Sequence, residues 1–425
     1  RAGMKPFPAR RAGNGFIPRS GYARSAEARP IFSCLPPCRK SCSRIAEEQG
    51  ISVEMVKYHL FKTRKLLKEG IGMTRTLGEK SYNPGVFRLD FWGDRNKYQE
   101  LFRRKLPGSI LLAAYYVPMT AEELSVELGV SMPYLEDELE ILMSAGLLTR
   151  NGSKYQTNLV ILTDDYEKEF VKTTEDVYPK AAGTIFEAAE KLLPQVRKLD
   201  FHGSDYDDNR LLFALLNIAL IKGYQLANEK SPLGEPKRLP LGCSGWVFGY
   251  DNDYANHHFM MECWNREGSA YFSVENYRVI SPCQRYDEFV LGTKSRVMCD
   301  AVLERAEAGE NEEQSWLVEN GFVLCKDGIL SASFPVFRSD VFAEVCALLA
   351  PISETAAACM LEISDEAERV LKEHVPSTVK DQCGDIAKIH HRLDAAAFLM
   401  ETWIADGKLV LPAEKIPLCV WGVRK

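Results

Sequence analysis

A short basic segment near the start of the chain constrains the fold most strongly. Residues 44–68 have the pattern of two helices joined by a tight turn at Gly50, where glycine adopts a positive φ at little cost. Ser52 is placed to cap the second helix, and apolar residues from Val56 to Leu67 recur at helical spacing on one face. The pattern predicts a helix-turn-helix over residues 42–72.

The outer face of the predicted second helix suits DNA. Long polar and cationic side chains there match the phosphates and base edges of a major groove. The residues predicted to contact DNA are Ser52, Val53, Glu54, Lys57, Tyr58, Lys62, Arg64 and Lys65. The alternative is a helical pair that only packs and exposes a solvated basic face.

Charge is divided unevenly along the chain. Residues 1–105 contain 23 Lys and Arg against 9 Asp and Glu, whereas residues 106–425 contain 30 against 50. A basic front on an acidic body favours a nucleic-acid-binding arm joined to a body that does not bind nucleic acid. The scattered cysteines and the lack of a long apolar run or secretory signal predict a cytoplasmic protein without a membrane span.

Residues 1–41 are rich in Arg, Pro, Ser and Gly and show no helical or strand period. Three interpretations fit them: a disordered basic tail, an Arg-rich transit peptide, or sequence foreign to the folded protein. Cys34, Cys38 and Cys42 at its end suggest a metal site, but no further ligand stands nearby at a familiar spacing. We therefore predict no metal there.

A winged helix is predicted over residues 106–165, after a linker at 73–105. Thr120 and Glu123 form a capping box at the start of a helix, and Asn151-Gly152 is a hairpin turn before a return strand at Tyr155–Leu162. The third helix carries four carboxylates, which a phosphate backbone would repel: Glu136, Asp137, Glu138 and Glu140. This unit is therefore predicted to pack on protein, or to touch DNA only through Arg150 and Lys154 of its wing.

The rest of the chain is predicted to alternate helical and strand-rich parts. The predicted parts are a helical segment at 166–236, a small antiparallel sheet at 237–285, winged-helix-like helices and a hairpin at 286–340, and a C-terminal helical unit with a terminal hairpin at 341–425. The second hairpin is Gly321–Leu330, and the third would pair 407–412 with 418–423. The predicted fold class is mainly α with small β hairpins, or α+β.

The aromatic stretch from Trp246 to Phe272 has two interpretations, a ligand-binding sheet or ordinary core packing. Five nearby residues are candidate metal ligands, although their spacing matches no standard site: Asp251, Asp253, His257, His258 and Cys263. The sequence contains no phosphate-binding loop, nucleophile elbow or zinc-protease helix. We therefore expect neither an enzyme nor a bound metal or cofactor.

The basic segment resembles region 4 of bacterial RNA polymerase sigma factors. The similar stretches are Arg44–Glu48, Gly50–Ser52, Val56-Lys57, Leu60 and Thr63–Leu67, within about 27 of the 425 residues. Val56–Leu60 is also similar to LuxR-type DNA-binding domains, but the basic continuation into Lys68 favours the sigma factors. No counterpart of sigma region 2 is visible, so the chain resembles a truncated member with a long winged-helix-rich body.

The resemblance implies binding to a promoter element and to the flap of RNA polymerase, with Lys57, Tyr58, Lys62 and Lys65 on the DNA. We therefore expect a DNA-binding transcription regulator whose partners are double-stranded DNA and RNA polymerase core. Two alternatives stay open: a stand-alone ligand-responsive repressor or activator, and an anti-sigma-like protein-interaction module.

Overall fold

The computed structural model describes residues 85–94, 97–252, 258–265, 267–280, 288–309 and 312–425. All of them belong to one compact unit, Gly78–Lys425. The predicted tail at 1–41, the predicted helix-turn-helix at 42–72 and the first part of the predicted linker lie outside the described residues. The described part mixes helices with small sheets, consistent with the α+β class.

The first part of the described chain is a helical unit with a small sheet. Its elements are β1 (Arg88–Asp94), α1 (Lys105–Ala113), β2 (Met119–Thr120), α2 (Ala121–Leu128), α3 (Met132–Ser144), β3 (Leu148–Asn151) and β4 (Lys154–Thr157). The predicted capping box is present, since the Thr120 hydroxyl accepts from the Glu123 N–H and the Glu123 carboxylate accepts from the Thr120 N–H. Strands β2, β4 and β3 form an antiparallel sheet in that order.

A helical body follows and is completed much later in the chain. Its helices are α4 (Asp164–Thr174), α5 (Val177–Val196), α6 (Asp208–Lys230), α10 (Ser339–His374) and α11 (Cys383–Ala405). Helices α6 and α10 approach closely at Gly223, where an added Cβ would lie 2.7 Å from the Cβ of Ala356. The buried Arg392 of α11 donates to Asn228 Oδ1 at 2.8 Å and to the Ser231 carbonyl at 2.7 Å, which ties α11 to the end of α6.

A second unit lies in the chain between α6 and α10. Its elements are β8 (His258–Trp264), β9 (Ala270–Tyr277), α7 (Glu288–Thr293), α8 (Ser295–Val302), β10 (Ala306–Glu307), α9 (Glu312–Glu319), β11 (Val323–Lys326) and β12 (Ile329–Ala332). Strands β10, β12 and β11 form an antiparallel sheet in that order, the same relative order as β2, β4 and β3. The hairpin predicted at Gly321–Leu330 is confirmed as β11 and β12.

Two further sheets replace the single antiparallel sheet predicted at 237–285, and that prediction is wrong. Their remaining strands are β5 (Val160–Leu162), β6 (Lys237–Arg238), β7 (Ser244–Tyr250), β13 (Val336–Arg338) and β14 (Val420–Arg424). Strand β7 lies between β1 and β5 with β6 beside it, whereas β8 and β9 join β14 and β13. The β5–β7 and β13–β14 pairs are parallel, and parallel pairs need long crossovers, which the helices between them supply.

Three local predictions also need correction. The predicted linker at 73–105 contains β1, which pairs with β7 along seven residues. The predicted return strand Tyr155–Leu162 is two strands, since β4 ends at Thr157 and β5 begins at Val160. Strand β5 then continues in the sheet of β7.

The third predicted hairpin, at 407–423, is absent, since only β14 forms a strand there. The Leu409 N–H donates to the Trp403 carbonyl at 3.1 Å and the Val410 N–H donates to Asn209 Oδ1 at 2.8 Å. Pro412 has no N–H to contribute to a strand. The backbone of this segment therefore bonds to α11 and to the start of α6.

The apolar cores follow this division. One core fills the helical body, a second lies among β9, α8 and β11, and a third lies within α1, α2 and α3. By length and composition, α6 and α10 are apolar enough to cross a membrane. However, 72% of the apolar window of α6 and 44% of that of α10 are buried inside the protein, and a soluble core helix passes the same test.

Candidate nucleic-acid and protein-binding surfaces

The eight residues predicted to contact DNA in the basic segment lie outside the described residues, so their geometry is not part of the structure. They are Ser52, Val53, Glu54, Lys57, Tyr58, Lys62, Arg64 and Lys65. The two predicted wing contacts, Arg150 and Lys154, are described and lie together at the tip of one hairpin.

The two predicted contact cations lie at neighbouring positions of the hairpin of β3 and β4, where strand alternation directs them to opposite faces. Asn151 pairs with Lys154 across the strands, and both Arg150 and Lys154 are exposed. The Arg150 Nε donates to the Gly152 carbonyl at 2.9 Å, and its guanidinium carbon lies 5.3 Å from the centre of the Tyr155 ring. Arg150 is thus held against the turn, while its charge stays accessible to solvent.

The outer face of α3 is acidic and partly apolar. Leu135, Leu139 and Leu142 point into the core, and the helix contains no Lys, Arg or His. Three outward carboxylates and an aromatic ring that is 73% exposed occupy the opposite side: Glu136, Asp137, Glu140 and Tyr134. This face would be repelled by a phosphate backbone, as the sequence predicts.

Glu138 is an exception to the four outward carboxylates predicted for α3. Its side chain is buried, and its two oxygens lie 3.0 and 3.1 Å from the guanidinium nitrogens of Arg104. Burial raises the pKa of Glu138, and the charge of Arg104 opposes that shift. The pair ties α3 to the residue before α1, because a buried carboxylate needs a partner of opposite charge.

The second unit repeats the helix end and hairpin pairing of the first about one hundred and seventy-five residues later. Gly146 and Gly321 have φ values of 75° and 76°. Each is followed by a residue whose N–H bonds back into the preceding helix, Leu147 to Leu142 and Phe322 to Leu317. Leu148 pairs with Thr157 as Val323 pairs with Ala332, so the two hairpins have the same register.

The outer faces of the two units differ. Helix α9 begins at Glu312, soon after β10 ends at Glu307, whereas α2 lies between β2 and α3 in the first unit. The α9 residue equivalent to Ile141 is Trp316, which stacks on Phe322 with ring centres 6.0 Å apart. Lys294 Nζ lies 5.3 Å from the centre of the Trp316 ring, so that ring is covered on the outside.

The aromatic stretch contributes to cores rather than to one exposed sheet. Phe248, Tyr250 and Phe272 are buried, and they belong to two different sheets. Of the five candidate metal ligands, Asp251 accepts the Asp164 N–H at 2.9 Å, and no group of metal-binding side chains occurs among the described residues. Asp253 and His257 lie outside the described residues.

A buried polar cluster lies where α4 meets α11. His390 Nε2 is 3.8 Å from Glu167 Oε1 and 3.7 Å from Asp394 Oδ2, and its Nδ1 is 3.3 Å from the Tyr250 hydroxyl. His391 Nε2 lies 2.5 Å from the Tyr166 hydroxyl. Sequence analysis missed this cluster because its members come from three distant elements.

The pKa values of the two neighbouring histidines are shifted in opposite directions. Burial lowers the pKa of His390, but the carboxylates of Asp394 and Glu167 outweigh burial, and the net shift is upward. Burial, reinforced by the charge of His390, holds the pKa of His391 well below its usual range. The cluster therefore places one imidazole between two carboxylates that favour its charged form and a second imidazole in surroundings that favour its neutral form, and these contacts tie α4, β7 and α11 together.

A cleft of about 250 Å³ lies between the first unit and the start of α11. Lys237 Nζ lies 3.3 Å from Asp381 Oδ2, and Trp246 Nε1 donates to Asp385 Oδ2 at 3.0 Å. These polar groups bond to one another, so the cleft is a polar contact between two parts of the fold rather than an apolar ligand pocket.

No protein-family model, curated protein or solved structure matches this chain. A function can therefore be proposed only from the charges and surfaces of this chain.

Proposed function

We propose that the protein is a sigma-factor-like, DNA-binding transcription regulator. In this proposal residues 44–68 read promoter DNA, and the acidic body contacts RNA polymerase core or a regulatory partner. The protein would act in the cytoplasm, without a membrane span, catalytic site or cofactor.

We also propose that the unit formed by α1, α2 and α3 with the β2–β4–β3 sheet is a winged helix. Its order of helix, strand, two helices and hairpin supports that assignment. The second unit, with the same strand order and no counterpart of α2, would be a reduced copy.

The observation that carries the proposal is where the charges lie. In a DNA-binding winged helix, α3 would be the helix that enters the major groove. Here the outer face of α3 carries Glu136, Asp137 and Glu140 and no cation. DNA reading therefore falls to the basic segment, with Arg150 and Lys154 as the only wing cations placed to assist it.

The test is the salt dependence of duplex binding by the full chain. Each lost phosphate contact lowers the log–log slope by roughly one, so Lys57→Ala/Lys62→Ala should lower it by about two. Lys154→Ala should lower it by about one or less. The matched control is Lys180→Ala/Lys191→Ala, which removes two exposed lysines from α5 and should leave the slope unchanged.

Polymerase dependence separates the sigma-like function from its alternatives. Promoter binding that requires RNA polymerase core supports the sigma-like function. Specific binding without core points to a stand-alone repressor or activator, and a slope that no variant changes refutes DNA reading by the basic segment.

A further inference from the structure

The outer face of α3 combines open apolar side chains with open carboxylates. Tyr134, Asp137 and Ile141 follow one another at helical spacing and so line one side of the helix. The side chain of Ile141 is 36% exposed and that of Tyr134 is 73% exposed. Glu136 and Glu140 flank this line, and no ion pair of Glu136, Asp137 or Glu140 occurs in the described part of the chain.

The second unit shows that this face is not a general property of the module. On α9 the position of Ile141 holds Trp316, which Phe322 and Lys294 cover. Helix α9 begins at Glu312, the equivalent of Asp137, so it has no helical counterpart of Tyr134. The second unit therefore lacks the exposed tyrosine and isoleucine that α3 presents together, and its apolar exposure on α9 is at Val318 instead.

We infer that the α3 face, defined as Tyr134, Glu136, Asp137, Glu140 and Ile141, docks a basic segment of a partner protein that carries an apolar anchor. Charge complementarity selects this partner, because three open carboxylates with no neighbouring cation on the helix favour Lys or Arg. Tyr134 supplies a large amphipathic contact of the kind that dominates binding energy at interfaces. The inference rests on the proposed function, in which the acidic body is the protein-contacting part.

The probe is a short synthetic peptide with leucines at helical spacing and lysines at the other positions. One comparison peptide replaces lysine by glutamate, and a second replaces leucine by serine. Titration of the full chain should show one-to-one binding of the Lys/Leu peptide and much weaker binding of both comparison peptides, because the face needs charge and an apolar anchor together.

Variants on the two equivalent helices decide whether α3 is the site. Tyr134→Ala/Ile141→Ala should weaken the peptide about thirtyfold, the loss expected for a hot-spot anchor. Asp137→Asn/Glu140→Gln should weaken it about fivefold, since exposed ion pairs are worth little each. Glu312→Gln/Glu313→Gln, which removes two exposed carboxylates from α9, should leave the affinity unchanged.

Three outcomes overturn the inference. They are failure of the unmodified chain to bind the Lys/Leu peptide, equal weakening by the α9 control, and self-association of the chain that the α3 variants abolish, which would make the occupant a second copy. The α3 variants should keep the DNA salt slope of the unmodified chain. Loss of DNA binding with intact peptide docking would therefore refute the DNA-reading proposal alone, and the reverse result would refute docking alone.

Discussion

The hairpin after α3 and the hairpin after α9 have the same pairing register, yet of their paired positions from 146–158 and 321–333 only the opening glycine is shared. Their turns differ, because Gly152 alone has a positive φ in the first, whereas Asp327 and Gly328 both do in the second. Asn158 donates its side-chain amide to the Gly146 carbonyl at 3.1 Å, and Ser333 donates its hydroxyl to the Gly321 carbonyl. The two hairpins thus share a positive-φ opening glycine, a polar side chain that returns to its carbonyl, and one burial pattern, in which only the second strand alternates. Every outward position is free to acquire a separate role.

The largest expected effect comes from the shared glycine. At Gly146 an added Cβ would lie 3.0 Å from Pro240 Cγ, but at Gly321 it would lie 2.3 Å from the Lys415 carbonyl oxygen, which is backbone. Gly146→Ala should therefore cost about 1 kcal/mol of unfolding free energy, and Gly321→Ala about 3 kcal/mol. Urea unfolding of both variants measures the difference, and equal losses would show that the two turns are equally tolerant.

The next effect tests the one buried ion pair that distinguishes α3 from α9. Arg104→Ala leaves the Glu138 carboxylate buried without its partner, which should cost about 2 kcal/mol after allowance for the half-exposed arginine. The matched substitution on α9 is Glu313→Ala, at the exposed equivalent of Glu138. It should change the free energy of unfolding by less than about 0.5 kcal/mol. Adding Glu138→Gln to Arg104→Ala should recover part of the loss in the same urea assay.

A smaller effect is expected in the pH dependence of the unfolding free energy, which should differ between variants made behind the two larger sheets. His390, behind the β1–β7–β5 sheet, faces Glu167, Asp394, Tyr250 and His391, and its raised pKa also reflects Asp90. A folded-state pKa above the ordinary 6.5 gives stability that is fully present below 6.5 and is lost as the pH rises through the folded value. His391, whose pKa is lowered, contributes the opposite slope near pH 6.5, so the His390 effect is measured as a difference. The unfolding free energy of the unmodified chain minus that of His390→Gln should fall as the pH rises above 6.5.

The control for this pH effect lies behind the β9–β14–β13 sheet. The Tyr277 hydroxyl donates to Asn217 Oδ1 at 3.0 Å, and burial holds the pKa of Tyr277 well above its usual range. Tyr277→Phe should cost about 1 kcal/mol, equally at all pH values between 6 and 9, because the hydroxyl stays protonated throughout. A pH-dependent loss in Tyr277→Phe, or none of the expected change in His390→Gln, would contradict the assignment.

Local signals in the sequence predicted the small units well. The Thr120 capping box and the hairpin turn at Gly152 act over a few residues, so their outcome does not depend on distant packing. The same holds for the hairpin after Gly321. The turn of the first hairpin lies one residue later than predicted, at Gly152 and Ser153, because Asn151 already pairs with Lys154. The predicted role of the basic segment concerns residues that the structure does not describe, and it stays a prediction.

Long-range features escaped the sequence analysis for a physical reason. No local pattern shows that β5 pairs with β7 or β13 with β14, because each pair is separated by several helices. The burial of Glu138 depends on Arg104, and the polarity of one helix does not reveal a partner that far away. The cluster at His390 brings together α4, β7 and α11 in the same way, so three separate segments would have to be placed before it could be seen.

The parallel strand pairs have a consequence for how the chain is made. Strand β5 leaves the ribosome before α4, α5 and α6, and its neighbour β7 only after them; β13 and β14 are divided in the same way by α10 and α11. During synthesis, the strands that pair with β7 and β14 are therefore translated first, and their backbone edges stay unpaired until β7 or β14 has been made. Open apolar edges pair with other chains. Slow translation across either group of helices should raise the yield of aggregated protein without altering a single contact of the finished fold.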